Sequence, residues 1–446
     1  MGVVNLVDIN LNYQSYNSDT LKDLERFSAS SIVDKNLISL VTEILEDVKN
    51  HGNRALIERT LLYDKASLKE SDLMVSGIEF ESANASLEAR QRKAIEEAIE
   101  NVSIFHRQNL PEDWKSKNLH GATVGENYYP IRRVGIYIPG GNVPLVSTVV
   151  MTVTLAKVAG VEEIVVATPP NEDGSIASEL LAALQLLGVQ EVYKIGGAQA
   201  IGALAHGTET ITPVDKIYGP GNAYVNEAKR QVFGVTGIDL LPGPSEVMVI
   251  ADKTSNPSFV AAALLAQAEH GSGKEKIYLI FTEESMFKSI ASEINNQVGH
   301  LGHKEAVLKI LKIGFFAAYA HDLKEVVDLA NFIAPEHLEL QVENQVISYL
   351  QKNITTAGAL LLGHFSATAL GDFVAGPSHV LPTGRSSRFS SGLRIEDFFR
   401  RTSIICYDPK SVAKAKESAV LFSEMERLDA HGKSISLRLK VDEEGE

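Results

Sequence analysis

A glutamate and a histidine are adjacent in the sequence at Glu336 and His337, immediately after Pro335. A carboxylate and an imidazole at neighbouring positions can act together as a general acid and base. The proline ends the preceding helix and stiffens the loop, which would hold both side chains in place. Because loops are rich in both residue types, a solvated loop without a catalytic role is the alternative interpretation.

Residues with the chemistry of metal ligands occur at two other places. Gln267 and His270 are three residues apart at the end of a predicted helix that begins at Asn256, so both can face one ion. A cap on the helix terminus is the alternative interpretation for His270. Asp372 stands in a mostly apolar run punctuated by glycine and proline. A lone carboxylate is costly there unless it is paired or bound to a metal.

Two further pairs of residues have suggestive spacing. Glu426 and His431 are five residues apart at the end of the last predicted helix, so they could face one pocket. His300 and His303 have the spacing of metal ligands, but they lie in a polar linker between predicted helices. We therefore expect no metal at His300 and His303.

Three glycine-rich turns, at residues 139–141, 196–199 and 219–222, follow predicted strands. The carboxyl ends of parallel strands form the edge where open α/β sheets bind ligands, with backbone N–H groups and helix N-termini free for phosphate. None of the turns matches the GxGxxG or P-loop pattern, and any one of them could be a tight turn without a ligand. Three turns on one sheet nevertheless favour an anionic ligand such as a dinucleotide.

Strand and helix patterns predict the framework that carries these residues. Short apolar runs alternate with helical stretches from Val134 to Val232 and again after Pro244, which predicts right-handed βαβ units and parallel sheets. Residues 37–108 have helical periodicity, and the C-terminal part predicts a helix over 411–428 and a strand over 434–441. The predicted fold class is α/β, with two Rossmann-like open parallel-sheet domains, a helical N-terminal region and a small C-terminal tail domain.

Composition narrows the function classes. The 446 residues include 42 Lys and Arg against 57 Asp and Glu, a net charge of −15, which argues against nucleic-acid or membrane binding. The one cysteine, Cys406, excludes a disulfide framework and a cysteine-built zinc site; it stands in an apolar run, so we expect it to be buried. Prolines and glycines interrupt the uncharged stretch 134–156, which excludes a membrane span. The cytoplasm is the expected location.

The motifs taken together resemble the histidinol dehydrogenase family, zinc-dependent enzymes that complete histidine biosynthesis. The resemblance covers about residues 48–438 and is densest over 134–252. The segments that carry it are VGIYIPGG (134–141), AKVAGVEEIVVATPP (156–170), GVQEVYKIGGAQAIGALAHGTE (188–209), VDKIYGPGNAYVNEAKRQV (214–232), GPSEVMVIAD (243–252), QAEHG (267–271), PEHLEL (335–340), GDFVAGPSHVLPT (371–383) and ERLDAH (426–431).

The resemblance implies oxidation of L-histidinol to L-histidine through L-histidinal with two molecules of NAD. It implies Glu336 and His337 as the catalytic acid and base residues. It also implies one zinc ion per subunit, bound through Gln267, His270, Asp372 and His431. The implied NAD contacts are Tyr137, Gln199 and Asn222, and the implied substrate contacts are Ser245, Gln267, His270, His337, Asp372, His379, Glu426 and His431.

The resemblance further implies a homodimer in which the C-terminal segment completes the site of the partner subunit. The corresponding domain prediction is an N-terminal arm (1–36), a first α/β domain with the metal and catalytic residues (37–136 plus 246–391), a second α/β domain that binds NAD (137–245) and the C-terminal tail domain (392–446). No nucleic acid or membrane partner is expected.

Several alternatives remain open at this point. Ser378 stands where the family usually has asparagine, which leaves room for a zinc- and NAD-dependent alcohol dehydrogenase of the same fold acting on another small polar alcohol, such as a sulfopropanediol. Glu426 favours the ammonium group of histidinol instead. A zinc hydrolase with Glu336 as its base would not explain the three glycine turns, and a non-catalytic binding protein would not need the Glu336–His337 pair. Manganese or cobalt would suit the same oxygen and nitrogen donors as zinc.

Overall fold

The computed structural model describes residues 11–28, 35–140, 144–270 and 273–439. They fall into two compact units, one formed by the described residues of 1–108 and 132–395 and the other by those of 109–131 and 396–446. The strands are β1 (Gln14–Ser15), β2 (Trp114–Lys117), β3 (Thr123–Pro130), β4 (Arg133–Tyr137), β5 (Glu163–Thr168), β6 (Glu191–Lys194), β7 (Lys216–Tyr218), β8 (Gly237–Ile238), β9 (Glu246–Ala251), β10 (Lys276–Phe281), β11 (Phe315–Tyr319), β12 (His337–Gln341), β13 (Ala359–Leu362) and β14 (Phe399–Cys406).

The helices account for most of the remaining described residues. They are α1 (Thr20–Ser28), α2 (Lys35–Asp64), α3 (Gly77–Ser86), α4 (Ala89–Arg107), α5 (Val146–Ala159), α6 (Ser178–Leu186), α7 (Gly197–His206), α8 (Ala223–Val232), α9 (Pro257–Ala268), α10 (Glu284–Val298), α11 (Lys304–Ile313), α12 (Leu323–Ile333), α13 (Asn344–Asn353), α14 (Thr368–Phe373), α15 (Pro409–Met425) and α16 (Asp429–Leu437). Within the described ranges, no helix is long and apolar enough to cross a membrane.

The first unit contains two parallel sheets, so the predicted α/β class is confirmed. One sheet has the strand order β6-β5-β4-β7-β8 and the other has the order β1-β11-β10-β9-β12-β13, and every pairing in both is parallel. Central strands of parallel sheets are covered on both faces, which explains why β4 and β9 are buried along their whole length. The domain boundaries predicted above stay predictions.

The five-stranded sheet is doubly wound, and its chain order reverses at β4. The chain moves outward from β4 through β5 to β6 and then returns to β7 on the other side, so the switch point lies between β4 and β7. Ligands of open α/β folds bind in the crevice at such a point, outside the carboxyl ends of the strands. On one face of the sheet, α2 packs against α7 and α8.

Helix α9 follows strand β9 of the six-stranded sheet and ends just before the candidate metal ligand His270. It begins as predicted, since the Asn256 side chain accepts a hydrogen bond from the Ser258 amide at 3.0 Å and Pro257 is the first helical residue. Its last turn carries Gln267. Gly271, expected to close this helix, lies outside the described residues.

The second unit is a small antiparallel sheet, in the order β14-β3-β2, together with α15 and α16. The strand predicted over 434–441 is wrong: α16 packs against α15, with the Gly432 amide bonded to Ser423 Oγ at 2.9 Å. Burial of Cys406 was also wrong, because β14 is an edge strand with most of its residues exposed. The acidic end, 442–446, lies outside the described residues.

Candidate active site and nucleotide cavity

The adjacent glutamate and histidine lie at the start of a central strand. Helix α12 ends at Ala334 in a left-handed conformation (φ 49°), Pro335 follows, and His337 opens β12 between β9 and β13. Glu336 is 7% and His337 is 4% exposed. This burial excludes the solvated-loop interpretation. Two ionisable side chains at such a position need partners, because an unpaired buried charge is strongly destabilising.

Glu336 and His337 find these partners on neighbouring elements. Oε2 of Glu336 accepts hydrogen bonds from Ser245 Oγ at 2.6 Å and from the Glu246 amide at 2.8 Å. His337 Nε2 lies 3.3 Å from Oδ1 of Asp372, and its Nδ1 lies 3.8 Å from Glu336 Oε2. Nδ1 is buried and has no hydrogen-bond partner among the described residues. One imidazole nitrogen is thus fixed by Asp372, while the other is free for proton transfer.

The electrostatics of this cluster follow from its burial and its charges. Burial raises the pKa of Glu336, although the nearby charge of His337 and the hydrogen bond from Ser245 oppose the effect. Burial alone would lower the pKa of His337, but the carboxylates of Glu336 and Asp372 raise it to about 9. Burial would raise the pKa of Asp372, yet its bond to His337 lowers it. The two flanking carboxylates therefore stabilise the protonated form of His337, and its neutral form is a strong proton acceptor.

Two other predicted site residues of the first unit, His379 and His270, interact with Asp372. His379 donates from Nδ1 to the backbone oxygen of Asp372 at 2.9 Å, which fixes its ring beside helix α14. The charge of His270 lowers the pKa of both Asp372 and Glu336, so this exposed imidazole lies within electrostatic reach of both carboxylates.

Gln267 provides the test of whether a metal ion fits here. It is 2% exposed, and neither Oε1 nor Nε2 of its amide has a hydrogen-bond partner in the described part of the chain. A buried amide normally forms hydrogen bonds, so its free oxygen is consistent with a ligand position. Within the described ranges, no three His, Cys, Asp or Glu side chains form a metal-binding group. The predicted set does not require such a group within one chain. It combines the amide of Gln267 with His270 and Asp372, and its third side chain of this kind, His431, is expected to come from the partner subunit.

The remaining predicted residues near the C-terminus belong to the second unit. Glu426 ends α15, His431 lies in the first turn of α16, and both are exposed. Their part in the site stays a prediction. His303 is the N-cap of α11, and the expectation that it binds no metal stays a prediction.

A cavity of about 830 Å³ opens at the carboxyl edge of the five-stranded sheet, where the three glycine turns were predicted to meet. Tyr137 ends β4, and its hydroxyl accepts a hydrogen bond from the Gly197 amide at 3.2 Å. Gln199 is 1% exposed, with both amide atoms unpaired among the described residues. Asn222 caps α8 by accepting from the amides of Tyr224 and Val225. All three residues predicted to contact NAD line this cavity.

Sequence reasoning missed the support of the third glycine turn. The buried Lys229 forms an ion pair with Asp239, and the lysine also donates to the carbonyl oxygens of Gly219 and Leu240, each at 2.9 Å. Asp239 accepts from the Gly219 amide at 2.8 Å. The only signal in the sequence was a lysine on an apolar face of the predicted helix. This signal does not indicate that Asp239 is the partner of Lys229.

The fold and the site define a class of protein: a two-sheet α/β protein with a ligand-sized cavity at the switch point of one sheet and a buried glutamate–histidine pair on the other. The chain belongs to the histidinol dehydrogenase family, whose model matches residues 28–439. The family resemblance drawn from the sequence is thereby confirmed.

Individual relatives agree over nearly the whole chain. It is 42% identical over 404 residues to a histidinol dehydrogenase from Listeria monocytogenes serovar 1/2a, covering 91% of this chain and 93% of the relative. It is 43% identical over 400 residues to histidinol dehydrogenase 1 from Trichormus variabilis, covering 90% and 91%. The crystal structure of histidinol dehydrogenase from Elizabethkingia anophelis superposes with a TM-score of 0.91 at 35% identity, covering 96% of this chain and 98% of that one.

Proposed function

We propose that this protein oxidises L-histidinol to L-histidine through L-histidinal, with two molecules of NAD as electron acceptors. The observation that carries the proposal is the buried Glu336–His337 pair, bonded to Ser245 and Asp372, in a chain of the histidinol dehydrogenase family. A cytoplasmic location is part of the proposal, because the single cysteine offers no disulfide framework of the kind found in exported proteins.

In the first oxidation, His337 accepts the proton of the substrate hydroxyl. In the neutral imidazole Nε2–H points at Asp372, so the unprotonated Nδ1 takes the proton as the C–H bond breaks and its electron pair leaves as hydride to the nicotinamide. The carbon–oxygen bond becomes a carbonyl. Glu336 and Asp372 stabilise the imidazolium that forms, which agrees with the raised pKa of His337.

In the second oxidation, Glu336 activates water. Its Oε2 is held by Ser245 and Glu246, so its other oxygen takes a proton as the water oxygen adds to the aldehyde carbon. The imidazolium of His337 protonates the former carbonyl oxygen to give the hydrate. The neutral imidazole then takes one hydroxyl proton back as the C–H electron pair leaves as hydride to a second nicotinamide, giving the acid. This route needs no thiohemiacetal, and the only cysteine of the chain is exposed on β14 of the second unit.

A divalent metal ion is part of the proposal. Gln267, His270, Asp372 and His431 would hold it, and the unpaired buried amide of Gln267 supports this assignment. When bound, the ion would orient the amine and imidazole of the substrate. The donor set of oxygen and nitrogen without thiolate suits zinc and also manganese or cobalt, one ion per subunit.

We also propose a homodimer in which Glu426 and His431 complete the site of the partner subunit. Apolar side chains near Glu426 support this, because Leu421, Phe422 and Met425 of α15 are 53%, 61% and 62% exposed. Exposed apolar clusters of this kind typically mark protein interfaces. A Glu426→Ala protein and a His337→Ala protein should each be nearly inactive and should regain activity on mixing with subunit exchange. No recovery despite demonstrated exchange would contradict the shared site.

Turnover with histidinol tests the proposal directly. The protein with NAD and histidinol should form two reduced nicotinamides per substrate, measured by absorbance, and one histidine, measured by chromatography. No reduction with histidinol but reduction with a sulfopropanediol would contradict the proposal and favour the alternative substrate. Serine in place of the usual asparagine at position 378 gives the alternative substrate little support. The Ser378 hydroxyl donates to the Met151 carbonyl oxygen at 3.0 Å rather than to a group of the site.

Metal dependence is tested on the same protein. Chelation should abolish turnover and leave the circular dichroism spectrum largely unchanged, because both parallel sheets have apolar cores of their own. His270→Ala should reduce the metal content measured by mass spectrometry, whereas the matched variant His303→Ala should keep it. Equal metal loss in both variants would overturn the ligand assignment.

A further inference from the structure

The cavity beside the five-stranded sheet has one charged wall. Three of its lining residues that the structure describes carry charge: Asp64, Lys65 and Glu172. Lys65 Nζ lies 3.1 Å from Glu172 Oε1, and both side chains are more than two-thirds exposed. Lys65 and Glu172 therefore balance each other at the rim, and Asp64 is left as the uncompensated charge of the wall.

Asp64 is an unusual carboxylate for such a position. It is the last residue of α2, and its Oδ2 is buried without a hydrogen-bond partner in the described part of the chain. Burial raises its pKa to about 6, and no cation of the described residues offsets that effect. A buried oxygen without a partner costs stability, so a ligand group that donates hydrogen bonds would be favoured there.

The strand order shows which part of a dinucleotide would meet Asp64. Asp64 lies beside Glu172, which follows β5, whereas Asn222 lines the same cavity after β7. Strands β5 and β7 flank β4, so they are about 10 Å apart. On the β7 side, Asn226 donates to the carbonyl oxygens of Gly221 and Pro242. Pro242 is three residues before Ser245, which is bonded to Glu336. The β7 side therefore leads towards the catalytic pair and the β5 side leads away from it.

A dinucleotide that reacts at its nicotinamide must place this ring on the β7 side. The adenosine half then lies on the β5 side, next to Asp64. In doubly wound sheets, a carboxylate near the end of the strand equivalent to β5 commonly binds the ribose 2′-hydroxyl of NAD. Here a helix terminus brings such a carboxylate to the corresponding place. The 2′-phosphate of NADP at the place of this hydroxyl would be repelled by the negative charge of the carboxylate.

We infer that Asp64 binds the 2′-hydroxyl of the adenosine ribose and makes the cavity selective for NAD over NADP. The inference rests on the proposed function, which assigns NAD to this cavity. It adds a specificity residue that sequence reasoning did not identify, because nothing in its local sequence distinguishes Asp64 from other acidic residues at helix ends.

Calorimetric titration of the full-length protein with NAD and with NADP tests the inference without relying on turnover. The unaltered protein should bind NAD at least a hundredfold tighter than NADP. Asp64→Asn should bring this ratio below tenfold by weakening NAD and strengthening NADP, and Asp64→Ser should act in the same direction if the asparagine variant folds poorly. Lys65→Gln combined with Glu172→Gln, which removes the balanced pair and leaves the net charge of the same wall unchanged, should change the ratio less than threefold.

A further variant separates the inference from the proposed function. Gln199→Ala should weaken NAD and NADP alike, because its amide is in the cavity but is not at the charged wall. If Gln199→Ala weakens both and both Asp64 variants leave the ratio within twofold of the unaltered protein, the role of Asp64 is overturned and the NAD cavity stands. If neither Gln199→Ala nor the Asp64 variants change NAD affinity, the assignment of NAD to the cavity fails, and the inference fails with it.

Discussion

The Ser245 hydroxyl donates a 2.6 Å hydrogen bond to Oε2 of Glu336, although the two residues are 91 positions apart in the sequence. They meet because Ser245 precedes β9 and Glu336 precedes β12, and these strands are parallel neighbours with His337 opposite Val247. The carboxyl group of Glu336 is therefore held by the ends of two strands. Such a fixed carboxylate can act on water without first having to be ordered.

Removal of this hydroxyl should impair the water-activating step. Ser245→Ala takes one donor from a buried carboxylate, and a hydrogen bond to a charged group contributes about 1.5–3 kcal/mol. We expect oxidation of histidinal to slow by roughly tenfold or more, with unchanged affinity for NAD, measured by steady-state kinetics and titration. Ser378→Ala is the matched control, because its hydroxyl bonds a backbone oxygen away from Glu336. Equal slowing in both variants would contradict a specific role for Ser245.

The two catalytic residues should separate the two oxidations. Glu336→Gln removes the base that activates water, so it should preserve oxidation of the alcohol better than oxidation of the aldehyde. His337→Asn should slow the first hydride transfer more, because its Nδ1 takes the hydroxyl proton. Single-turnover measurements with histidinol and with histidinal resolve the two steps. Equal loss in both steps for both variants would show that the pair acts as one unit.

Sequence periodicity predicted the parallel sheets well, because buried strands read as short apolar runs and the helices between them have their own period. The antiparallel sheet of the second unit escaped prediction, since β2 is exposed and mostly polar and β14 is an edge strand with most of its residues exposed. The C-terminal segment 434–441 alternates like a strand in sequence, yet its residues up to Leu437 belong to α16, which packs against α15. The local sequence pattern gives no information about which helix will pack against this segment.

The residues of the candidate site also divide into those that the sequence predicted and those that it did not. Proline and adjacent ionisable residues indicated Glu336 and His337, because these signals are local in sequence. The Ser245–Glu336 bond and the place of Asp64 depend on which strands are neighbours, so they became visible only in the folded chain. The positions of the three glycine turns after strands were predicted from the sequence. The bonds of Lys229 and Asp239 to the third turn were not.

The ion pair beneath the third glycine turn should be essential for stability. Lys229 and Asp239 are both buried, so Asp239→Asn would leave an uncompensated charge and should lower the free energy of unfolding by about 3–5 kcal/mol. Replacing both, as Lys229→Met with Asp239→Leu, should recover a large part of that loss, and urea denaturation measures each value. The affinity for NAD should fall in the single variant, because Asp239 and Lys229 bond the amide and the carbonyl of Gly219 and the variant removes the ion pair that positions them.

An exposed pair provides the comparison. Lys22 and Asp19 lie 3.0 Å apart with about two-thirds of each side chain exposed, so Asp19→Asn should change the free energy of unfolding by less than about 1 kcal/mol. If Asp239→Asn destabilises no more than Asp19→Asn does, the buried pair is not a structural support of the turn.

A buried histidine should make the protein less stable in mild acid. His106 in α4 is 2% exposed, its Nε2 has no hydrogen-bond partner among the described residues, and burial lowers its pKa to about 4. The unfolded chain should bind the proton with the ordinary histidine pKa of about 6.5. Between pH 6.5 and pH 4, the unfolded state therefore holds more protons than the folded state. The free energy of unfolding must fall as the pH falls through this window, and this contribution is constant above it.

Comparison of variants isolates that contribution from those of other titrating groups. His106→Leu cannot take up the proton, so the stability of the unaltered protein relative to this variant should decline from pH 7 to pH 4.5, measured by urea denaturation at each pH. His300→Gln, at an exposed position, should show the same pH profile as the unaltered protein. A constant difference between the unaltered protein and His106→Leu over this range would mean that His106 is protonated in the folded state as readily as in the unfolded chain. The absence of a hydrogen-bond partner for Nε2 argues against that outcome, because a buried imidazolium would have two N–H groups to satisfy.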